Sequence, residues 1–283
     1  MSERFDRLVG WITALRPDWH AADLSACLYL EGGYSNDNYL FTHRGERYVL
    51  RAPYRARPYV DRACEQRLYR RLPPGIAPEL VAFDPVSGRM ISRWVAGTLL
   101  ADLDPEPETL VRYLADLHSR LPATRRGYDP LELARTHLRD AAACGASAPG
   151  WIERLAETPW RPAATVSCHN DLNPWNLIRT PDGRWVTLDW EWFGRNDPLF
   201  DLVTLHQSLH FADATLPTLA AELLQSSAAG SGPVSGSRLR ACLVALWLRE
   251  YAWAHAELAA GNERPEIAEQ RARGEDRLRA LAS

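Results

Sequence analysis

The stretch Cys168-His169-Asn170-Asp171-Leu172-Asn173-Pro174-Trp175-Asn176-Leu177-Ile178, followed by Val186-Thr187-Leu188-Asp189, constrains this chain more than any other part. Asp171 is followed five residues later by the amide Asn176. A short apolar segment, a Pro181-Asp182-Gly183 turn and a second apolar run then lead to the acid Asp189. Pro, Asp and Gly favour tight turns, so a hairpin is expected between the two apolar runs. Asn176 and Asp189 then lie on neighbouring strands, where an amide and a carboxylate oxygen together suit a divalent cation. Asp171 falls at the tip of the preceding loop, placed to accept a proton. An acid, an amide and a second acid in this order describe a metal–phosphate site. An ordinary turn-rich hairpin would leave Asp189 and the rest of the chain unexplained.

A chain of 283 residues is long enough for one large or two modest domains with a real core. Its 46% hydrophobic and 24% charged residues are those of a globular protein rather than a disordered one. A formal net charge of −3 argues against a nucleic-acid partner bound by general electrostatics. No apolar run approaches the roughly 20 residues needed to span a membrane, and the N-terminus has no signal-like core. Cys27, Cys64, Cys144, Cys168 and Cys242 include no Cys-x-x-Cys pair. They fit reduced thiols in a cytoplasmic protein better than a disulfide framework or a zinc site. The chain contains no lysine, so every basic side chain except histidine is arginine.

Phe5, Leu8, Val9, Ile12 and Leu15 recur at helical spacing and predict an amphipathic helix ending before Pro17. The period then changes to that of strands at 26–31, 38–43 and 47–52, a β-meander whose first turn carries Gly32 and Gly33. Bare backbone at Gly33, with Ser35 and Asn36 adding donors, could approach phosphate oxygens, although Gly-Gly is also ordinary turn chemistry. On the third strand Tyr48 and Leu50 face one side, Val49 and Arg51 the other. Arg51 is always charged and can engage phosphate bidentately; a solvated edge arginine is the plainer alternative. The helix expected at 59–72 aligns Val60, Cys64, Leu68 and Leu72, with Glu65 beside them as the partner for Arg51 and Asp61 one turn away. Strands at 79–83 and 89–95 complete a five-stranded sheet. The pattern breaks near Gly97, a hinge at which the backbone of Arg93 to Val95 could meet an adenine edge. Helices are expected from there to about residue 157, with His118 and His137 as packing or surface residues.

His169-Asn170-Asp171-Leu172-x-x-x-Asn176, Leu188-Asp189-Trp190-Glu191 and Asp197-Pro198-x-x-Asp201-Leu202 resemble the motifs of the choline/ethanolamine kinase and aminoglycoside phosphotransferase superfamily. The run from Asp189 to Pro198 is closer to the choline-kinase branch. Gly32-Gly33-Tyr34-Ser35, Val49-Leu50-Arg51 and Leu114 to Ser119 are similar to bacterial choline kinase-like proteins and thiamine kinase. The resemblance implies an α+β, two-lobed protein kinase-like fold. Residues 1–95 would form a small antiparallel β lobe with one helix, and 96–283 a larger, mainly helical lobe. It also implies ATP and Mg²⁺ as cofactors. Asp171 would be the catalytic base, and Asn176 and Asp189 the magnesium ligands. Gly33, Ser35 and Arg51 would contact phosphates, Glu65 would position Arg51, His169 would shape the loop and Asp201 would stabilise it.

For the acceptor, a long helix carries Leu243, Leu246, Trp247, Glu250, Tyr251 and Ala254, and Trp190 and Glu191 follow the second acid. Aromatic faces with carboxylates suit a quaternary ammonium or thiazolium cation, so Trp190, Glu191, Trp247, Glu250 and Tyr251 are the candidate substrate residues. Core packing is the alternative for each tryptophan. The expected partner is a small hydroxylated metabolite, choline or a related amino alcohol, with thiamine close behind. An aminoglycoside-type antibiotic phosphotransferase and an ATP-binding scaffold are the other readings. A metal role for His206 and His210 lacks a third ligand. Residues 226–237 form a flexible loop by composition, and 263–281 a charged terminal helix.

Overall fold

Apolar residues three and four apart do make the N-terminal segment a helix. The computed structural model, which describes residues 3–31, 35–55, 57–226 and 234–282, places α1 at Glu3–Leu15. Leu8 and Ile12 pack from it into a core with Trp19, Phe41, Tyr48, Leu50 and Ile91. That core lies on one face of a sheet formed by β1 (Leu24–Leu30), β2 (Asn36–His43), β3 (Glu46–Pro53), β4 (Leu80–Phe83) and β5 (Met90–Arg93). The spatial order is β1-β2-β3-β5-β4, antiparallel throughout. The two-residue period of β3 sends Tyr48 and Leu50 into the core and Arg51 to the other face, as the alternation requires. Helix α2 (Arg62–Tyr69) is inserted after β3 and begins later than residue 59 because the Asp61 side chain accepts the Cys64 N–H at 2.8 Å and caps it.

Beyond Gly97 come β6 (Thr98–Leu99), α3 (Pro107–Arg120), α4 (Pro130–Ala143), α5 (Gly150–Ala156), β7 (Val166–Cys168), β8 (Leu177–Arg179) and β9 (Trp185–Thr187). They are followed by β10 (Gly194–Asn196), α6 (Pro198–Ser208), α7 (Leu216–Ser226), α8 (Gly236–Ala259) and α9 (Pro265–Ala282). The chain forms two compact units: Met1–Asp104 with Pro174–Trp192, and Pro105–Asn173 with Phe193–Ser283. Consecutive lobes meeting at 95/96 were expected; the units instead interleave. The reason is the hairpin after the loop. Strands β8 and β9 are three residues each, too short to stand alone. They gain a third strand in β6, with Thr98 opposite Arg179 and Leu99 opposite Ile178, and Thr187 N–H donates to the Ile76 carbonyl at 2.7 Å. Gly97 permits this approach, since a Cβ there would sit 2.4 Å from the Arg179 carbonyl oxygen.

In the second unit α8 packs against α4, α6 and α9, and α3 against α6 and α7. Asp129, Asp197 and Ser235 cap α4, α6 and α8 through side-chain acceptors. Gly274 lets α9 lie on α8, as a Cβ there would already touch the Tyr251 Cβ at 3.0 Å. Strands β7 and β10 pair antiparallel, Cys168 opposite Gly194, and frame the loop that carries Asp171. No helix among the described residues is long and apolar enough to cross a membrane.

Candidate active site

In the first unit a line of alternating charges runs behind the sheet. Arg51, 5% exposed, donates from Nη1 to Glu65 Oε1 at 2.6 Å and to Asp189 Oδ1 at 2.8 Å. Arg62 Nη1 reaches Glu65 Oε2 at 2.9 Å and Glu191 Oε2 at 2.7 Å, and Arg57 Nη1 lies 3.7 Å from Glu191 Oε1. Burying a charge is costly unless it is paired, and here acids and arginines alternate so that each inner member has an opposite charge on both sides. Burial would raise the Glu65 carboxyl, but Arg51 and Arg62 outweigh it and hold Glu65 below the usual carboxylate range. At Glu191 burial wins, reinforced by Asp189, and pushes its carboxyl up to about 7 against the pull of Arg62 and Arg57. Capping settles the partner of Arg51: Asp61 is committed to the N-terminus of α2, which leaves Glu65.

Asn176 and Asp189 stand at the open end of the β8–β9 hairpin. The ladder pairs Leu177 with Thr187 and continues by one bond, from Leu188 N–H to the Asn176 carbonyl at 2.8 Å. Asp189 follows at φ 54°, a left-handed conformation that Asp tolerates better than most residues. Its carboxylate, 23% exposed, is held by Arg51. One carboxylate and one amide oxygen, completed by phosphate oxygens and water, form the hard oxygen set that Mg²⁺ takes at phosphate-transfer sites, so the residues fit that ion.

In the second unit the loop around Asp171 is fixed by its own backbone. Asn170 also lies at positive φ, 71°, and every polar group it has is used. Its N–H donates to Asp201 Oδ1 at 2.7 Å, and its Oδ1 accepts from Asn196 Nδ2 at 2.9 Å. Its Nδ2 reaches the Cys168 and Gly194 carbonyls, both at 3.3 Å, and its carbonyl accepts from Arg249 Nη1. Asp201, fully buried, also accepts the His169 N–H at 3.0 Å and lies 2.9 Å from His118 Nε2. Burial would raise the Asp201 carboxyl, but His118, His169 and the Asn170 N–H hold it below the ordinary range. The Asp171 N–H donates to His169 Nδ1 at 3.2 Å. Arg249, buried on α8, donates to Asp171 Oδ1 at 3.2 Å and to the Tyr128 hydroxyl at 3.2 Å.

The model of the phosphotransferase enzyme family, APH, matches residues 27–235. The chain belongs to this family. A curated relative, Protein LicA of Haemophilus influenzae, is 26% identical over 199 residues, covering 64% of this chain and 58% of that protein. The chain thus spans little more than half the length of that relative. Among solved structures, a choline/ethanolamine kinase family protein from Mesorhizobium loti superposes with a TM-score of 0.71 at 22% identity, covering 98% of this chain and 94% of that one. The choline kinase LicA from Streptococcus pneumoniae and a LicA complex with AMP each give 0.71 at 19% identity, covering 99% of this chain and all of theirs. At these identities the structures establish the fold, which is protein kinase-like, with a small antiparallel sheet and a larger helical part.

The remaining sequence-predicted residues of this family member fall into three groups. Gly33 lies outside the described residues. Ser35 lends its carbonyl to Tyr54 N–H at 3.2 Å, and Asn36, first in β2, is buried with Oδ1 unpartnered among the described residues. Arg93 is not open to an adenine edge through its N–H, which donates to Glu79 O at 2.9 Å, and its side chain pairs with Glu46 and Glu79. Val95, two residues on, is half-buried and lies beyond the end of β5.

The aromatic box is overturned. Trp190 is fully buried, its indole N–H donating to Thr187 O at 3.0 Å. Trp247 is buried, donates to Gln207 Oε1 at 3.1 Å, and its ring is already covered by Arg273, 4.9 Å from the centroid. Tyr251 is buried and stacked on His255 at 5.6 Å. The carboxylates are committed too: Glu191 to Arg62 and Arg57, and Glu250 to Arg249 at 2.6 Å and Gln270 at 2.9 Å. His206 is paired with Thr215 at 3.0 Å rather than with His210. Sequence reading missed Arg249 and understated His118. The one signal for Arg249 was a charged residue beside the apolar stripe of α8.

Proposed function

We propose that this chain moves the γ-phosphate of ATP, with Mg²⁺, onto the hydroxyl of a small cationic alcohol of the choline or ethanolamine type. The observation that carries the phosphotransfer reading is the buried link from Glu65 through Arg51 to Asp189, with Asn176 opposite on the same hairpin. Such a link supports a cation and two oxygens suited to a metal ion at the end of one hairpin, and positioning and charge neutralisation dominate phosphoryl transfer. Asn176 and Asp189 would hold the magnesium ion, which when bound neutralises charge on the phosphates. Arg51 would turn part of its donor fork from Asp189 to phosphate oxygen while Glu65 keeps its orientation. Asp171 takes the proton of the acceptor hydroxyl. That oxygen forms its bond to the γ-phosphorus as the bond to the ADP oxygen breaks, and ADP leaves with the electron pair.

The acceptor class rests on the choline-kinase relatives and on one local feature. With Trp190, Trp247 and Tyr251 buried, Trp175, 54% exposed within the motif itself, offers an aromatic face of the kind that suits a quaternary ammonium. The test is ADP release with Mg²⁺ over a panel of choline, ethanolamine, thiamine, sugars and aminoglycosides. Choline or ethanolamine should stimulate release. Asp171→Ala should still bind ATP but lose about 10²–10⁴-fold in turnover, the usual worth of a general base. Wild-type-like turnover by that variant would sink the assignment of the base. A panel in which no acceptor stimulates release would favour the scaffold reading.

A further inference from the structure

Arg249 is one of the most completely engaged side chains in the second unit. It is 5% exposed and stands on α8, far in sequence from the loop it touches. Its Nη1 donates to the Asn170 carbonyl and to the Tyr128 hydroxyl at 3.2 Å, and its Nη2 to Asp171 Oδ1 at 3.2 Å. Nε and Nη2 both reach Glu250 Oε1, at 3.0 and 2.6 Å, and Glu250 Oε2 accepts from Gln270 of α9 at 2.9 Å. Tyr128 stays a neutral donor and acceptor, since burial pushes its hydroxyl up to about 12. The guanidinium also stacks over Phe200, 5.5 Å from the ring centroid.

From this geometry we infer that Arg249 is a positioning residue for Asp171, with Glu250 as the counter-charge that lets it act. The inference rests on the reading of Asp171 as the base. Arg249 grips two successive points of the loop, the carbonyl of Asn170 and the carboxylate of Asp171, from one planar fork. A single ammonium could not serve both with fixed geometry. The cation lies 3.2 Å from the carboxylate that a general base must present in its charged form. Alone it would also oppose catalysis, because its attraction is lost once Asp171 takes the hydroxyl proton. Glu250 removes that difficulty: its carboxylate stays on the guanidinium throughout, so Arg249 is never left buried and uncompensated. The two acids flanking Arg249 thus divide the work. Asp171 changes charge in the reaction, and Glu250 does not.

The test is a double-mutant cycle of Arg249→Gln and Asp171→Asn, read as ATP turnover with choline and, in parallel, as melting temperature without ligands. Arg249→Gln should lose about 10–100-fold in kcat, as small misplacement of a reacting group does, with KM for ATP and choline within about threefold. Arg249→Lys should recover part of the loss, as it restores the charge without the fork. In the Asp171→Asn background, Arg249→Gln should cost almost nothing further, and the melting shifts should be non-additive in the same sense. Additive losses in both readouts, or wild-type kcat in Arg249→Gln while Asp171→Asn is inactive, would overturn the inference and leave the phosphotransfer reading standing. Full turnover by Asp171→Asn would instead sink the reading of Asp171 as the base, and the inference with it. If Arg249→Gln does not melt cooperatively, the cycle is run with Arg249→Lys, where additivity is equally fatal.

Discussion

Asp201→Asn puts the loop architecture to a quantitative test. The carboxylate is fully buried and accepts from the N–H groups of Asn170 and His169 at 2.7 and 3.0 Å, with His118 Nε2 at 2.9 Å. An asparagine matches the shape but offers one carbonyl oxygen, and its amide nitrogen must face a donor. At least one backbone N–H becomes a buried orphan, at about 1–3 kcal/mol, and a hydrogen bond to a charged acceptor, worth about 1.5–3 kcal/mol, is lost with it. Charge is also removed from opposite His118. The sum is about 4 kcal/mol, which at about 2–4 °C per kcal/mol lowers the melting temperature by about 8–16 °C. The pH dependence has a definite sign. Asp201 is held below its ordinary value in the folded protein, so its contribution is present above about pH 4 and is lost as pH falls through the folded value. Wild type and variant should differ fully at pH 7 and converge below about pH 4. Thermal unfolding followed by circular dichroism at pH 7, 5 and 3.5 measures both. A shift under about 2 °C at pH 7, or a gap that does not narrow in acid, would refute the reasoning.

Glu65→Gln leaves Arg51 and Arg62 short of one buried counter-charge and should cost about 3 kcal/mol, with weakened ATP binding; calorimetric titration with ATP and a melt check both. Trp247→Phe loses the bond to Gln207 and part of the stacking with Arg273, about 1–2 kcal/mol, and should leave KM for choline unchanged. A tenfold rise in KM would return Trp247 to the substrate. Gly97→Ala would drive a Cβ to 2.4 Å from Arg179 O and 2.6 Å from Ile178 Cγ2. Opening β6 from β8 should cost about 2–3 kcal/mol by denaturant titration.

How far the sequence reached depended on the range of each signal. The strand period is local, so Arg51 could be placed opposite Tyr48 and Leu50 without any structure. The pairing of Asn176 with the approach to Asp189 is also local, because a hairpin brings its own ends together. Glu65 could be preferred to Asp61 from its place on the helix, but what occupies Asp61, the capping bond that starts α2, was not legible. His118 meets Asp201, the acceptor of the loop's N–H groups, across 83 residues, and Arg249 meets Asp171 across 78, and no periodicity encodes either approach. The aromatic box failed for a different reason. Leu246, Trp247, Leu248 and Arg249 are four successive residues of α8, and all are buried. A helix covered around a full turn has no open face, so helical spacing of Trp247 and Tyr251 said nothing about access to substrate.

The absence of lysine gives these observations a common cause. Arg51 joins Asp189 to Glu65, and Arg249 joins Asp171 to Glu250. In each case a buried guanidinium holds one acid assigned to the reaction and one that is not. On the proposed mechanism, binding of a metal ion would draw charge from Asp189, as proton transfer would draw it from Asp171. A cation buried beside an acid whose charge is spent in turnover would be left exposed to the full desolvation cost, several kcal/mol. A second, inert carboxylate on the same planar fork keeps it compensated through that change. Arginine suits this because its donors point in fixed directions to two partners at once, whereas an ammonium is a single point of charge. The inert partners Glu65 and Glu250 should therefore be as intolerant of charge removal as the acids they accompany.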